Sequence, residues 1–133
     1  MADAAFNGDA DCVTALVQKR GHDPNKKDSE GDTPAWNAAR ENHVACLRAL
    51  KGLGADMSAP GEYGWTPLFA AASAGHLDAV KFLHAECGCD PTTAPTSGAW
   101  RGTTPLRAAE KLGRSMNSSE NYDDVAAYLR TAR

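Results

Sequence analysis

Thr66-Pro67-Leu68-Phe69-Ala70-Ala71-Ala72-Ser73-Ala74-Gly75-His76-Leu77-Asp78-Ala79-Val80-Lys81-Phe82-Leu83 reads as two short helices and the turn between them. The Thr66 hydroxyl suits a helix cap, where it accepts from exposed backbone N–H groups. Pro67 suits the first helical position, where its fixed φ is already helical and no N–H is needed. The small pair Ala71-Ala72 lets a neighbouring helix approach closely. Gly75 is predicted to end the first helix, because a tight turn needs the positive φ that glycine adopts without a Cβ clash. Leu77, Val80 and Leu83 then recur at helical spacing and predict a second, amphipathic helix.

Working outward, the opening of this segment is found three times. Gly31-Asp32-Thr33-Pro34-Ala35-Trp36-Asn37-Ala38-Ala39 precedes it, and Gly102-Thr103-Thr104-Pro105-Leu106-Arg107-Ala108-Ala109 follows it. Thr33 and Thr66 are 33 residues apart; Thr66 and Thr104 are 38 apart, the same period with five residues inserted. A second marker runs in step. Asn42-His43 and Gly75-His76 are 33 apart, and Gly21-His22-Asp23, Gly54-Ala55-Asp56 and Gly88-Cys89-Asp90 recur at 33 and 34. Two markers on one period predict a repeat architecture. Each unit reads as helix, turn, helix, then a polar hairpin-like loop such as Asn25–Asp32. Gly113 is predicted to break the last first-helix as Gly75 breaks its own, and Val44, Leu47 and Leu50 to mark a second helix in the earlier unit.

Composition agrees. A chain of 133 residues with 42% hydrophobic residues is one folded domain. Alanine makes up roughly a fifth of it and aromatics 7%, a balance suited to closely packed helices. The net charge of −3, without a basic block, argues against a dedicated nucleic-acid binder. No apolar run reaches the roughly 18 residues needed to span a bilayer. Met1–Phe6 lacks the basic and apolar regions of a secretory signal. Four cysteines without an export signal then predict free thiols and an intracellular protein, cytoplasmic or nuclear.

The Thr66–Leu83 segment resembles an ankyrin repeat, and the resemblance covers nearly the whole chain as four units, about residues 1–26, 27–59, 60–96 and 97–133. It implies an all-α solenoid of helix pairs with loops projecting to one side. It further implies a non-catalytic protein–protein interaction module, a small regulator or inhibitor of its partner, or else a structural segment of a longer array. The first unit lacks the Thr-Pro-Leu-His pattern, and the histidine of that pattern is replaced by Trp36, Phe69 and Arg107. Pro91–Gly98 lengthens one loop. Arg114–Asp124 is expected to lengthen the turn between the last two helices, leaving a final helix over Val125–Arg130.

The strongest chemical signal is His84-Ala85-Glu86-Cys87-Gly88-Cys89. His-x-Glu is half of a zinc-deaminase signature, and a zinc-dependent hydrolase at His84, Cys87 and Cys89 is the catalytic alternative. The Pro-Cys-x-x-Cys half is missing, and one short segment does not supply four well-placed ligands. Cys12 and Cys46 hold equivalent places in the second helices and read as small core residues. No hydrolase elbow, zincin or phosphate-loop pattern occurs, so no catalytic residue, metal or cofactor is expected.

The aromatic and basic residues point elsewhere. Tyr63 and Trp65 flank Gly64 before one Thr-Pro, and Trp100 and Arg101 precede Gly102 before the next. With the resemblance, these loop tips and the exposed side of each first helix line the partner-binding surface. Tyr, Trp and Arg dominate interface hot spots because they bury large areas. The expected surface is Tyr63, Trp65, Trp100, Arg101, Arg107 and Lys111. The three cations favour a protein partner with an acidic patch. Neither nucleic acid nor membrane is expected as a partner, and the chain is expected to act as a monomer.

Overall fold

The computed structural model describes residues 8–115 and 119–132. Among the described residues seven α-helices follow one another: α1 (Ala10–Arg20), α2 (Pro34–Arg40), α3 (Val44–Gly52), α4 (Pro67–Ser73), α5 (Leu77–Lys81), α6 (Pro105–Ser115) and α7 (Ser119–Thr131). A single 3₁₀ turn, Glu62–Gly64, precedes α4, and a π-helical turn, Phe82–Glu86, continues α5. Among the described residues there is no strand. The helices form two layers. The first helices α2, α4 and α6 pack side by side, the second helices α1, α3, α5 and α7 make the other row, and α2/α3, α4/α5 and α6/α7 pair across the layers. This is the all-α helix-pair solenoid that the resemblance implies.

Threonine starts the inner helices as its chemistry requires. Thr33 Oγ1 accepts from the N–H of Trp36 at 3.1 Å, Thr66 Oγ1 from Phe69 at 3.1 Å and Thr104 Oγ1 from Arg107 at 3.3 Å. The turns between paired helices close through a left-handed residue. Gly75 has φ +77°, and Asn42 takes the same place at φ +59°, which asparagine tolerates better than most side chains. The following N–H then reaches back into the helix, from His43 to Ala38 O at 2.8 Å and from His76 to Ala71 O at 3.0 Å.

The core sits between the layers. Val13, Leu47, Leu50, Leu68, Val80, Leu83 and Val125 are buried there with Ala38, Ala39, Ala71, Ala72 and Ala109. Each large aliphatic side chain removed from water contributes about 1.5–3 kcal/mol, so this continuous layer holds the stack together. Alanine rather than leucine between the first helices permits their close spacing.

Three features depart from the local reading of the sequence. Gly113 lies inside α6 and ends nothing. A Cβ at Gly113 would come within 3.1 Å of the Tyr122 Cβ, so this glycine admits α7 at close range. Arg114 and Ser115 stay helical, and α7 begins at Ser119 rather than Val125, so the expected long turn shrinks to the segment 116–118, which lies outside the described residues. Serine, asparagine and acidic residues read as loop by propensity, but packing of Tyr122 onto Gly113 holds their backbone in helix. The third feature is in α5. From Asn42 to Asp56 the second unit uses 15 residues, and from Gly75 to Asp90 the third uses 16. The extra residue is absorbed within the helix: Cys87 N–H donates to Phe82 O at 3.2 Å, a five-residue step that widens the turn.

The loops between units are bonded across their necks. Asp28 N–H donates to Asp32 O at 2.9 Å, and Gly61 N–H to Trp65 O at 2.8 Å. Burial of the Asp28 carboxylate opposes its charge, but hydrogen bonds from Asp32, Asn37, Glu30 and Gly31 outweigh that and hold it below the usual aspartate value.

Candidate protein-binding surface

The candidate surface begins with the loop before α4. Tyr63 is the one exposed large hydrophobic residue among those described, at 54%. Its backbone sits at φ +60°, left-handed geometry that is costly for a bulky residue and persists only where neighbours impose it. The next loop imposes it here. Thr96 N–H and Ser97 N–H both donate to Tyr63 O, at 3.0 and 3.3 Å. Gly98 lies under the ring, with space for a Cβ only 3.3 Å from Tyr63 Cδ1. Gly102 N–H closes the second loop on Pro95 O at 3.0 Å. The lengthened Pro91–Gly98 segment is therefore a brace for the neighbouring loop tip.

Behind the tips runs an aromatic ladder. Trp36 and Trp65 have ring centroids 6.5 Å apart, Trp65 and Phe69 4.7 Å at a near-perpendicular angle, and Phe69 and Trp100 6.4 Å. Edge-to-face pairing of this kind brings a positive ring edge to a negative face. Cations cover both ends: Arg40 lies 5.6 Å from the Trp36 ring centre, and Lys111 Nζ lies 5.2 Å from that of Trp100. Trp36 and Phe69 are buried, at 7% and 0% exposure, so their aromatic surface serves the stack.

The six residues singled out from sequence thus divide. Tyr63, Arg101, Arg107 and Lys111 are exposed, while Trp65 and Trp100 are half-buried in the ladder. Lys111 and Trp100 are brought together, as are Trp65 and Phe69. Arg114 and Thr103 join the group and were not singled out. With Arg107, Glu110 and Lys111 they line a depression of about 580 Å³ on α6. The spacing 107, 111, 114 was a readable signal, but reading Arg114 as part of a turn removed it from the helix face.

The cysteine segment is organised differently from a metal centre. His84 Nδ1 is hydrogen-bonded to Tyr128 Oη at 2.8 Å, toward α7, whereas Cys89 Sγ donates to Met57 O at 3.3 Å in the preceding unit. Burial pushes the Cys89 thiol up to about 12 and raises that of Cys87, which disfavours the thiolate that binds zinc. Among the described residues, no three His, Cys, Asp or Glu side chains are grouped to hold a metal ion. Cys46 is buried and its thiol raised by burial; the Cys12 side chain lies outside what is described. No described helix is long and apolar enough to cross a membrane.

Comparison with known proteins identifies the class. Residues 1–95 match the family model for ankyrin repeats, in three copies. The chain belongs to the ankyrin repeat family, and it is by that membership a protein–protein interaction module. Among its relatives, the RelA-associated inhibitor of Mus musculus is 30% identical over 134 residues, covering 97% of this chain and 14% of that protein. An ankyrin repeat and KH domain-containing protein of Caenorhabditis briggsae is 35% identical over 131 residues, 96% of this chain and 5% of that protein. Human ankyrin repeat domain-containing protein 63 is 34% identical over 110 residues, 80% of this chain and 29% of that protein. The chain therefore spans less than a third of the length of these relatives.

Proposed function

We propose that the chain regulates a partner protein by binding it, without catalysis, through the loop tips and first helices of its last two units, about residues 60–96 and 97–133. Tyr63, Trp65, Trp100, Arg101, Arg107 and Lys111 form the contact surface, and the partner presents an acidic patch to the three cations. The carrying observation is Tyr63: a large aromatic ring held outward by strained backbone and two hydrogen bonds from the next loop. A fold that needs only packing has no use for that arrangement. A preorganised surface also loses little entropy on binding, so a few side chains set the affinity. The similarity to a protein named as an inhibitor supports the regulatory reading.

Tyr63→Gly tests this directly. Glycine accepts the same φ without strain, so the variant keeps the loop and loses only the ring. Helicity by circular dichroism and the denaturation midpoint hold or rise. Partner capture from native lysate, quantified by mass spectrometry, falls by about tenfold or more, the effect of removing one hot-spot ring. Undiminished capture by a folded Tyr63→Gly protein would place the interaction elsewhere.

A further inference from the structure

The cations of α6 exceed what the fold requires. Arg107, Lys111 and Arg114 are all exposed and lie four and three residues apart, on one face of the helix. The row is about 10 Å long at 1.5 Å per residue. Arg114 lies in the last turn, where a cation favours the helix dipole, so its charge has a structural use. Arg107 lies in the first turn, where the same dipole disfavours it. It also replaces the buried Trp36 and Phe69 of the earlier units. The one acid in the depression is already engaged, since Glu110 Oε2 accepts from Arg130 Nη2 at 3.2 Å. Among the described residues, the side-chain charges of Arg101, Arg107, Lys111 and Arg114 have no ion-pair partner. A like-charged row on a chain of net charge −3 carries a modest repulsion in water, which an anionic partner would turn into attraction.

We infer that the depression on α6 seats an acidic helical segment of the partner protein, whose carboxylates repeat once per turn and match Arg107, Lys111 and Arg114. Thr103 adds a hydroxyl at the rim, and Lys111, lying over the Trp100 ring, couples occupancy of the depression to an indole. This deepens the reading above and rests on it: the loop tip supplies the aromatic anchor and α6 selects for charge.

The probe is an 18-residue alanine-based helical peptide with glutamates at positions i, i+4 and i+7, compared with its glutamine counterpart. Titrated into the full chain, the glutamate peptide shifts tryptophan emission and binds at least tenfold more tightly than the glutamine peptide, and this preference shrinks as salt is raised. Replacing Arg107, Lys111 and Arg114 together by glutamine abolishes the preference. Removing two cations at the exposed end of α1, as Lys19→Gln and Arg20→Gln, leaves it intact. Equal binding of both peptides, no binding of either, or a preference surviving the triple variant overturns the inference. So does loss of the preference in the α1 control, which would mark net charge as its source. Concentration-dependent sedimentation of the chain alone that the triple variant abolishes and the glutamate peptide does not displace would assign the depression to a second copy and also overturn it. If the peptides fail but Tyr63→Gly still loses its captured partner, the charge inference falls and the loop-tip reading stands; if capture is also unchanged, both fall.

Discussion

Trp36, Phe69 and Arg107 occupy one position, three residues after a capping threonine, and they meet different fates. Trp36 and Phe69 are buried, each against the tryptophan of the following loop, Trp65 at 6.5 Å and Trp100 at 6.4 Å. Arg107 stands in solvent. The position three residues on repeats the contrast. Ala39 and Ala72 have no exposed surface, whereas Glu110 is partly exposed and paired with Arg130. The local backbone is the same in all three, with the same cap and the same proline. The side chain is decided by what lies on its outer side, another unit in two cases and water or a partner in the third.

The largest expected effect that would break this comparison is on stability. Phe69→Ala removes a fully buried ring between two tryptophans and is expected to cost about 3–5 kcal/mol by urea denaturation. Arg107→Ala at the equivalent place is expected to change stability by under about 0.5 kcal/mol. Similar losses for the two would mean that the α6 face is packed as the inner faces are. The caps give a smaller contrast of the same kind. Thr66→Ala, at a buried cap, is expected to cost about 1 kcal/mol. Thr104→Ala, whose longer hydrogen bond is exposed to water, should cost less in the same measurement.

A pH effect sharpens the comparison further. His76 sits on the inner seam, where burial lowers its pKa below the ordinary 6.5, only partly offset by its hydrogen bond to the Arg40 backbone. Because the folded value is depressed, the unfolded chain takes up the proton more readily. Stability from neutral His76 is therefore complete above about pH 6.5 and is lost as pH falls through the lower folded value. The urea midpoint should fall between pH 7.5 and 5.5, and His76→Gln should flatten that slope; an unchanged slope would place the titration elsewhere. The smallest stability change is expected for Arg107→Phe, within about 0.5 kcal/mol, since the ring has nothing to pack on. Its signature is association instead: a new exposed aromatic on α6 should make sedimentation concentration-dependent.

The sequence by itself determined where α2, α4 and α6 start and that the units stack. The Thr-Pro caps, the left-handed turn at Gly75 and the 33-residue period are read from a few neighbouring residues, because capping and turn geometry are local matters of backbone hydrogen bonding and φ. The candidate surface was legible in part for the same reason: loop tips follow from the caps, so Tyr63 and Arg101 could be placed outside. Tertiary structure alone decided the rest. It separated Tyr63 from the half-buried Trp65 and Trp100, because an aromatic residue on a loop is exposed or packed according to the loop beside it. Gly113 stayed in helix and Ser119 began one, because Tyr122 needed the space above that glycine. The one-residue excess between Gly75 and Asp90 was countable in the chain, yet only packing on both sides of α5 chose to widen the helix at Phe82–Glu86. There Arg48 lies over the Phe82 ring and pairs with Glu86 on one side, while His84 bonds Tyr128 on the other. A local signal fixes a backbone; the exposure of a side chain depends on neighbours distant in the chain.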